Sequence, residues 1–483
     1  MKTIHELISV LAIPYNGPES MIDQVVFDSR SAKKNTLFVA LSGNTFDGHD
    51  FLTNVCNQGC KFAIVQKEVQ PPDGMTLFKV TDSRDALAQL ACAWFDHPSK
   101  QLLLVGVTGT NGKTTTATLL YQLFTDLGSS CGLISTVVNK VNRREINATH
   151  TTPDPFAINK LLHEMVKEGC THCFMEVSSH AIHQKRIAGL HFVGGVFTNI
   201  THDHLDYHNT FSAYLSAKKG FFDGLQATSF ALTNSDDKNA GVMCQNSLAK
   251  KYTYALNQIA DFKGVILENS LEGLAIKINN IELQSRLIGK FNAYNLLAVY
   301  GVGSLLGVDQ LQLLTGISKL DSVNGRFQFF KSNKAVTVVV DYAHTPDALQ
   351  NVLSTMQHLI TQGSKIITVV GCGGNRDKEK RPEMARIAQT GSHQVILTSD
   401  NPRFEDPQGI LNEMSTGIDT KAPAPVIAIL DRKQAILTAS LLAQKGDIVL
   451  IAGKGHEAYQ EILGVRHEFN DFDIAHTLFN QNH

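Results

Sequence analysis

A glycine-rich segment at residues 106–116 has the residue types and spacing of a phosphate-binding loop. It reads Gly-Val-Thr-Gly-Thr-Asn-Gly-Lys-Thr-Thr-Thr, after the apolar run 102–105 and before a helix-like run. A strand, a glycine turn and a helix start place backbone amides and a helix N-terminus against phosphates. Lys113 adds a positive charge, and the Thr114 hydroxyl can bind Mg²⁺. The common loop has a glycine six residues before the lysine, where this chain has Val107, so the loop is a variant. We expect the nucleotide contacts to include Gly109, Thr110, Asn111, Gly112, Lys113, Thr114 and Thr115.

Two polar segments follow apolar or helical stretches further along the chain. Residues 150–155 read His-Thr-Thr-Pro-Asp-Pro, which suits either a rigid substrate loop or an ordinary turn. Glu176 lies at the end of the apolar run 173–177, where an acidic residue commonly holds Mg²⁺. A buried, hydrogen-bonded glutamate is the alternative there. Arg186, on the next segment, can hold an anionic group.

Residues 198–208 contain three histidines and two aspartates within seven positions. Such a dense cluster indicates metal or phosphate chemistry rather than a solvated loop. Two nearby histidines are also compatible with zinc. The phosphate-binding loop favours Mg²⁺, with a histidine such as His204 acting as a ligand or orienting a carboxylate.

The last 160 or so residues carry further polar groups directly after apolar runs. Asp341 follows Val336–Val340 and could bind a ribose or an adenine edge, or it could belong to a capped strand-to-helix turn. Charged groups also follow three other apolar runs of this region. Because ligands of open α/β sheets bind at the carboxyl ends of strands, we expect these groups to line one crevice. Arginines there suit carboxylates and a glutamate suits an ammonium, as in a pocket for a zwitterionic amino acid. These groups are Arg376, Arg403, Lys454 and Glu457.

The elements that must position these groups divide the chain into three predicted domains, residues 1–97, 98–324 and 325–483. The first shows strand-like runs at 37–41 and 61–65, and a helix-like run at 84–95. In the second, apolar runs alternate with helical stretches, which predicts a central P-loop ATPase-like parallel sheet with short antiparallel strands near 252–289. In the third, five such runs, among them Gln394–Thr398 and Ile448–Ile451, predict a Rossmann-like doubly wound sheet. The predicted fold class is α/β, with the N-terminal α/β domain the smallest.

Composition excludes several classes of protein. The 483 residues are 43% hydrophobic and 18% charged with a net charge of −2, so the chain has no general attraction for nucleic acid or anionic membranes. No apolar run approaches the ~20 residues of a membrane span, and the N-terminus has no continuous apolar core of a signal peptide. The eight scattered cysteines predict reduced, buried thiols in a cytoplasmic protein.

Taken together, these motifs resemble those of the ATP-dependent Mur ligases, which add amino acids to UDP-N-acetylmuramic acid during peptidoglycan synthesis. The resemblance covers about residues 25–470. The order and spacing of its motifs are jointly specific. They are Asp28-Ser29-Arg30, the loop Gly43–Phe51, TGTNGKTT, TTPDP, EVSSHA, TNITHDHLDYH, Gly289–Asn295, Asn324–Phe327, DYAHTPDAL and GKGHE.

The resemblance implies a role for each matching residue. For the UDP-linked substrate, it implies Ser29, Thr151, Thr152, Ser178 and Arg186. For ATP beyond the loop itself, it implies Asn292, Arg326 and Asp341. For the metal and the catalytic centre, it implies Lys113, Thr114, Glu176 and His204. For the incoming amino acid, it implies Arg376, Asp400, Asn401, Pro402, Arg403, Gly453 and Glu457.

The family also uses a lysine that CO₂ converts into a carbamate, a carboxylate-like ligand for Mg²⁺. It lies eleven residues beyond the tyrosine of HLDYH, which is Lys218 here, with Lys219 adjacent. From the sequence alone, Lys218 would be interpreted as a solvated helix lysine. One departure concerns TTPDP, because some relatives differ after the two threonines.

Within the family, the segment 400–403, Asp-Asn-Pro-Arg, resembles the type that adds meso-diaminopimelate to UDP-N-acetylmuramoyl-L-alanyl-D-glutamate. Lysine-adding relatives usually lack this arginine, and Arg403 could clamp the extra carboxylate of diaminopimelate. The resemblance therefore implies a cytoplasmic monomer that uses ATP and Mg²⁺ and needs neither nucleic acid nor a membrane span. The alternatives are a lysine-adding ligase, a folylpolyglutamate synthetase, which would not need the first 96 residues, and a nucleotide-dependent switch without ligase activity.

Overall fold

A computed structural model of the protein describes residues 1–43 and 46–481. The N-terminal part forms a four-stranded parallel sheet in the order β3-β4-β5-β6, and β1 pairs with β2 in a separate antiparallel ribbon. Its elements are β1 (Lys2–Thr3), α1 (Ile4–Val10), β2 (Met21–Ile22), β3 (Gln24–Val26), β4 (Thr36–Val39), α2 (Leu52–Asn57), β5 (Phe62–Val65), β6 (Thr76–Lys79) and α3 (Ser83–Trp94).

The middle part of the chain contains eleven strands and eight helices within the described residues. In chain order they are β7 (Leu103–Thr108), α4 (Lys113–Asp126), β8 (Cys131–Ile134), β9 (Val138–Val141), β10 (Arg144–Asn147), α5 (Pro155–Lys167), β11 (His172–Glu176), α6 (Ser179–His183), β12 (Gly194–Phe197), α7 (Leu205–His208), α8 (Phe211–Asp223), β13 (Phe230–Asn234), α9 (Ala240–Met243), β14 (Lys250–Ala255), β15 (Phe262–Ser270), β16 (Gly273–Ile278), β17 (Ile281–Ser285), α10 (Lys290–Leu305) and α11 (Gln310–Ser318).

The C-terminal part forms a six-stranded sheet in the order β18-β19-β23-β20-β21-β22, in which β18 is antiparallel to β19 and the other neighbouring strands are parallel. Its elements are β18 (Gln328–Lys331), β19 (Thr337–Asp341), α12 (Pro346–Leu359), β20 (Ile366–Cys372), α13 (Lys380–Gly391), β21 (Gln394–Ser399), α14 (Pro407–Ser415), β22 (Val426–Ala428), α15 (Arg432–Leu442), β23 (Ile448–Ala452), β24 (Tyr459–Ile462), β25 (Val465–Glu468) and α16 (Asp471–Asn480).

The chain packs as two compact units. The first comprises Met1–Gly106, Ser129–Val193 and Gly224–Ser229, and the second comprises Val107–Gly128, Gly194–Asp223 and Phe230–His483. The first unit holds the N-terminal sheet and the strands β8–β11. The second holds the glycine-rich loop, the strands β12–β17 and the C-terminal sheet. The domain boundaries at residues 97 and 324 stay a prediction.

The strands of the second unit follow the pattern expected from the sequence. Strands β12, β13, β14 and β15 are parallel, whereas β15, β16 and β17 form antiparallel pairs. The predicted short antiparallel strands near residues 252–289 are therefore present beside a parallel sheet.

Alternating side chains of the C-terminal strands pack against helices on opposite faces. Val339 belongs to the core under α12, α13 and α14, whereas Val338 and Val340 belong to the core under α15 and α16. Successive residues of a strand face opposite sides of the sheet. Because helices cover both sides, the central strands are apolar throughout. The prediction of an α/β chain with a doubly wound C-terminal sheet is confirmed.

Proline and a capping side chain begin several of the helices that carry the motifs. Asp154 accepts hydrogen bonds from the backbone of Phe156 and Ala157, so the TTPDP motif starts α5. Thr345 accepts from the backbone of Ala348 and starts α12. The DYAHTPD segment is thus a capped strand-to-helix turn, one of the two interpretations left open for it.

All eight cysteines are free, seven of them are buried, and Cys56 is half-buried. Burial raises the pKa of the Cys173 thiol well above its usual value. Within the part of the chain that the structure describes, no helix is long and apolar enough to cross a membrane.

Candidate functional site

The glycine-rich loop connects β7 to α4 in a conformation that requires glycine. Gly112 has a φ of 85°, and a Cβ there would lie 2.7 Å from Oδ1 of Asn295. A Cβ on Gly109 would lie 1.9 Å from Oγ1 of Thr198. The helix α4 begins at Lys113 without a side-chain cap, so no capping side chain satisfies its first amides. The binding of phosphate by this loop stays a prediction.

The side chain of Lys113 folds back over this loop. Its Nζ donates to the carbonyl oxygens of Gly109, at 2.9 Å, and Thr110, at 2.7 Å. Oγ1 of Thr114 accepts a hydrogen bond of 3.0 Å from Nη2 of Arg326. The cation and the hydroxyl that the sequence assigned to phosphate and Mg²⁺ thus lie together at the start of α4.

Lys218 lies against the same loop, with only 1% of the residue exposed. Its Nζ donates to the carbonyl oxygen of Gly109 at 2.7 Å and lies 4.8 Å from the ring centre of Tyr214. Burial lowers the pKa of Lys218 well below its usual value, and the positive charge of Lys113 adds to this effect. Lys219 instead pairs with Asp223 at 2.7 Å. The expectation of a solvated lysine at position 218 is wrong.

The histidine-rich segment contributes Asp203 and His204 beside the loop. The backbone amide of His204 donates to Oδ1 of Asp203 at 2.8 Å, and its ring Nε2 lies 3.5 Å from Oδ2. Burial acts to raise the pKa of Asp203, but His204, His344, Lys113 and Lys380 together lower it. Among the described residues, no group of three His, Cys, Asp or Glu side chains is arranged to hold a metal ion.

Outside the loop, the three residues expected to bind ATP all form hydrogen bonds with other groups of the protein. Asp341 accepts from the backbone of Phe327 at 2.6 Å and of Ala343 at 2.7 Å. The Asn292 amide donates to the carbonyl oxygen of Ile288 at 2.8 Å. By contrast, Nε of Arg326 is buried and has no hydrogen-bond partner within residues 1–43 and 46–481. A buried unpaired guanidinium N–H at the loop suits an anionic ligand such as a phosphate.

Within residues 151–186, the first unit contains five of the residues expected to bind the UDP-linked substrate or metal. Oγ1 of Thr152 donates to the carbonyl oxygen of Glu176 at 2.8 Å and accepts from the backbone of Ser178 at 3.1 Å. Arg186 donates to the carbonyl oxygen of Thr152 at 2.7 Å. Glu176 is fully buried and accepts from the backbone amide of Thr136 at 2.7 Å. The hydroxyl of Thr151 accepts a hydrogen bond from that of Thr136 at 3.1 Å.

Ser29 lies in a tight turn next to a cavity of about 420 Å³ in the first unit. Its neighbours Asp28 and Ser31 line that cavity, together with the aromatic side chains of Phe95 and Phe156. The side chain of Arg30 forms a fork with Asp28 and lowers the pKa of that carboxyl to about 2. The expected substrate loop Gly43–Phe51 contains residues 44 and 45, which lie outside the described residues.

The residues expected to bind the amino acid lie on loops after β20, β21 and β23. Nδ2 of Asn401 donates to Oε2 of Glu457 at 2.7 Å. Gly453 has a φ of 114°, and a Cβ there would lie 2.5 Å from Oδ2 of Asp400. Nη1 of Arg403 donates to the carbonyl oxygen of Gly374 at 2.7 Å. Burial raises the pKa of Glu457, and the charge of Asp400 adds to this.

One basic residue, Lys454, differs from the expectation that it is presented to a crevice. Arg376 is exposed, but Lys454 is fully buried. Nζ of Lys454 donates to Glu457 at 3.0 Å and to Asn401 at 3.1 Å. Lys454 therefore positions the pocket from beneath rather than facing a ligand.

Sequence reasoning assigned no role to Asp347 or Tyr214, although both contact the loop. Oδ2 of Asp347 accepts from Nδ2 of Asn111 at 2.7 Å and from Oγ1 of Thr201 at 3.2 Å. The hydroxyl of Tyr214 lies 3.0 Å from Oγ1 of Thr110. Asp347 stands within the DYAHTPD motif, so its presence there was the available signal. Tyr214 had none beyond its position one helical turn before Lys218.

The fold and this site define a nucleotide-binding α/β protein with a glycine-rich phosphate loop and a separate pocket at the carboxyl end of a doubly wound sheet. The chain matches three family descriptions: "Mur ligase family, catalytic domain" at residues 21–95, "Mur ligase middle domain" at 107–303, and "Mur ligase, glutamate ligase domain" at 325–455. The chain belongs to the Mur ligase family, which confirms the resemblance drawn from its motifs.

Individual relatives and solved structures are consistent with this assignment. The chain is 54% identical over 452 residues to the UDP-N-acetylmuramoyl-L-alanyl-D-glutamate–2,6-diaminopimelate ligase of Cytophaga hutchinsonii, covering 93% of each chain. It resembles a solved structure of a ligase of the same name with a TM-score of 0.70 and 33% identity, covering 98% of each chain. It also shares its fold with the MurF ligase of Thermotoga maritima in complex with ADP, with a TM-score of 0.62 and 20% identity over 94% of this chain and 96% of that one.

Proposed function

We propose that this protein joins meso-diaminopimelate to the D-glutamate γ-carboxylate of UDP-N-acetylmuramoyl-L-alanyl-D-glutamate, with conversion of ATP to ADP and phosphate. The observation that carries the proposal is the C-terminal pocket. It combines the Asn401–Glu457 pair with the guanidinium of Arg403, on a chain 54% identical to a relative of that name. A carboxylate and a guanidinium together suit the zwitterionic distal end of diaminopimelate.

The reaction requires two displacements. The γ-carboxylate of D-glutamate attacks the γ-phosphorus of ATP, the bond to the ADP oxygen breaks, and an acyl phosphate forms. The neutral amine of diaminopimelate then attacks the acyl carbon, loses a proton, and expels phosphate to leave an amide. Lys113 and the loop amides stabilise the charge that develops on the transferring group. Because acyl phosphates hydrolyse, the site must exclude water during this sequence.

Mg²⁺ is the metal that the donor set suits. The ligands in this proposal are the hydroxyl of Thr114, the imidazole of His204 and a carbamate on Lys218. The assignment of Glu176 to the metal stays a prediction from the sequence. When bound, Mg²⁺ neutralises phosphate charge. An unmodified Lys218 cannot bind a cation, and its buried nitrogen contacts a carbonyl oxygen instead of a carboxylate. Carbamylation removes this costly buried ammonium and supplies an oxygen ligand, so the residues fit the group in the modified form.

The remaining residues divide by substrate. Ser29, Thr151, Thr152, Ser178 and Arg186 hold the UDP-linked dipeptide, and the cavity beside Ser29 has the apolar and polar lining that a uridine needs. Asn292, Arg326 and Asp341 lie on the ATP side. The protein acts as a cytoplasmic monomer, with residues 1–97, 98–324 and 325–483 as its UDP-substrate, ATP and amino-acid domains.

The test is ATP-dependent phosphate release with UDP-N-acetylmuramoyl-L-alanyl-D-glutamate, offering meso-diaminopimelate and L-lysine in parallel and weighing the product. We expect turnover with diaminopimelate, with a greatly raised but measurable KM for diaminopimelate in Arg403→Ala and an unchanged KM in the matched control Arg386→Ala, whose side chain is exposed. Turnover with lysine alone would support the ligase activity but overturn the assignment of diaminopimelate as the added amino acid. ATP binding without amide formation from either amino acid would overturn the function.

A further inference from the structure

The loop that carries Arg403 has an unusual backbone and is held by a neighbouring hairpin. Arg403 has a φ of 51°, in the left-handed region that residues with a side chain rarely adopt. Such a conformation persists only when its surroundings fix it. The hairpin formed by β24 and β25 lies beside the loop, with Arg403 bridged to Ile462.

Backbone hydrogen bonds fix the loop on this side. The amide of Arg403 donates to the carbonyl oxygen of Glu461 at 3.0 Å, and the amide of Leu463 donates to the carbonyl oxygen of Arg403 at 2.7 Å. The amide of Glu461 also donates to Oδ1 of Asn401 at 2.9 Å. The hairpin therefore holds the backbone of Arg403 and the side chain of Asn401, which in turn pairs with Glu457.

One side chain of the hairpin reaches the start of the same loop. Nε2 of Gln460 donates to the carbonyl oxygen of Asp400 at 2.6 Å and lies 3.4 Å from Oγ of Ser399. Gln460 is half-buried, so this bond is partly shielded from water. On the next residue, the carboxylate of Glu461 lies 4.0 Å from Nε of Arg403. Gln460 thus sets the depth at which the hairpin docks, and with it the direction of the guanidinium.

We propose that Gln460 is a positioning residue for amino-acid selection: it docks the hairpin against residues 400–403 so that Arg403 meets the second carboxylate of the incoming diacid. This inference rests on the proposed function. Gln460 itself touches no substrate, and it acts through Arg403. Its loss must therefore weaken recognition of the amino acid while leaving the phosphate-binding loop, which lies on other elements, as it is.

The experiment compares the wild-type protein with Gln460→Met, a change that keeps size and removes the donor. We expect KM for diaminopimelate to rise about three- to tenfold, the effect of one lost hydrogen bond. KM for ATP and for the UDP-linked substrate should stay unchanged. KM does not depend on the fraction of folded enzyme, so a merely destabilised variant would not give this pattern. Gln408→Met, at an exposed glutamine of α14, is the matched control and should leave all three KM values unchanged.

A double-mutant cycle with Arg403→Ala decides whether Gln460 acts through that residue. We expect Gln460→Met to have no additional effect on KM for diaminopimelate in the Arg403→Ala background. Equal effects in both backgrounds, or an unchanged KM in Gln460→Met, would overturn this inference while the ligase stands. A wild-type protein that does not use diaminopimelate would overturn the proposed function and this inference with it.

Discussion

The ammonium nitrogen of Lys218 lies 2.7 Å from the carbonyl oxygen of Gly109, inside the glycine-rich loop that precedes Lys113. Two lysines thus converge on one loop, and their sequence positions are more than a hundred residues apart. Burial and the neighbouring charge disfavour the protonated form of Lys218, and a neutral amine is the form that reacts with CO₂.

Replacing Lys218 should therefore distinguish a role of its positive charge from a role of a carbamate formed on its amine. Lys218→Arg keeps a cation but cannot form a carbamate, and we expect ligase activity to fall more than about 100-fold, beyond the loss typical of residues that only orient metal ligands. Lys219→Arg, next along the helix and paired with Asp223, should retain activity. Isotopically labelled bicarbonate should give a carbamate resonance in the wild-type protein that Lys218→Arg lacks. A fully active Lys218→Arg would contradict the modification.

Adding a single methyl group at Gly112 in the glycine-rich loop should weaken nucleotide binding. In Gly112→Ala, the new Cβ would lie 2.7 Å from Oδ1 of Asn295, which also accepts a hydrogen bond from Thr116 and so cannot move at no cost. We expect ATP affinity, measured by calorimetry, to fall at least tenfold, or about 1.4 kcal/mol.

A control at the other end of the same helix separates the clash from backbone strain. Gly128 has a φ of 90°, and a Cβ added there would have no other atom within 4 Å. Gly128→Ala should cost about 1 kcal/mol of stability and leave ATP affinity unchanged. Equal ATP affinities for the two variants would mean that the glycine-rich loop is not what binds the nucleotide.

Local sequence patterns predicted the parts of this protein that depend on local physics. The apolar run Gln394–Thr398 is the strand Gln394–Ser399, and the run Ile448–Ile451 is the strand Ile448–Ala452. A strand buried on both faces must be apolar throughout, so its pattern is readable without the rest of the fold. The glycine spacing of the phosphate loop is readable for the same reason.

Contacts between distant segments were not predictable in this way. The bond from Asn111 to Asp347 spans 236 residues, and that from Arg326 to Thr114 spans 212. In neither pair does the local sequence around one residue identify the other as its hydrogen-bond partner. Lys454 illustrates the same limit, because a lysine after a strand normally reaches solvent, and only the pairing with Asn401 and Glu457 makes its burial tolerable.

Acid should weaken the scaffold of the amino-acid pocket through Glu405. Arg381, which is fully buried, donates to Glu405 at 2.9 and 3.0 Å and lowers the pKa of that carboxyl from 4.5 to about 2. Because the pKa is lowered on folding, the stabilisation is complete above about pH 4.5 and is lost as the pH falls towards 2. Glu405→Gln should cost about 2 kcal/mol in urea unfolding at pH 7 and much less at pH 2. The same cost at both pH values would contradict the ion pair.

Asp347 should couple the C-terminal part of the chain to the phosphate loop. Its Oδ2 accepts hydrogen bonds from Asn111 in the loop and from Thr201 in the histidine-rich segment, and burial raises its pKa. Removing it in Asp347→Ala frees both donors at once, so we expect ATP affinity and kcat to fall together by about tenfold or more, as for loss of a residue that holds catalytic groups in place. The matched control is Asn351→Ala, since Asn351 is exposed and bonds to the same oxygen at 3.2 Å without touching the loop. If Asn351→Ala has the larger effect, the bond to Asn111 is incidental and the coupling runs through α12 instead.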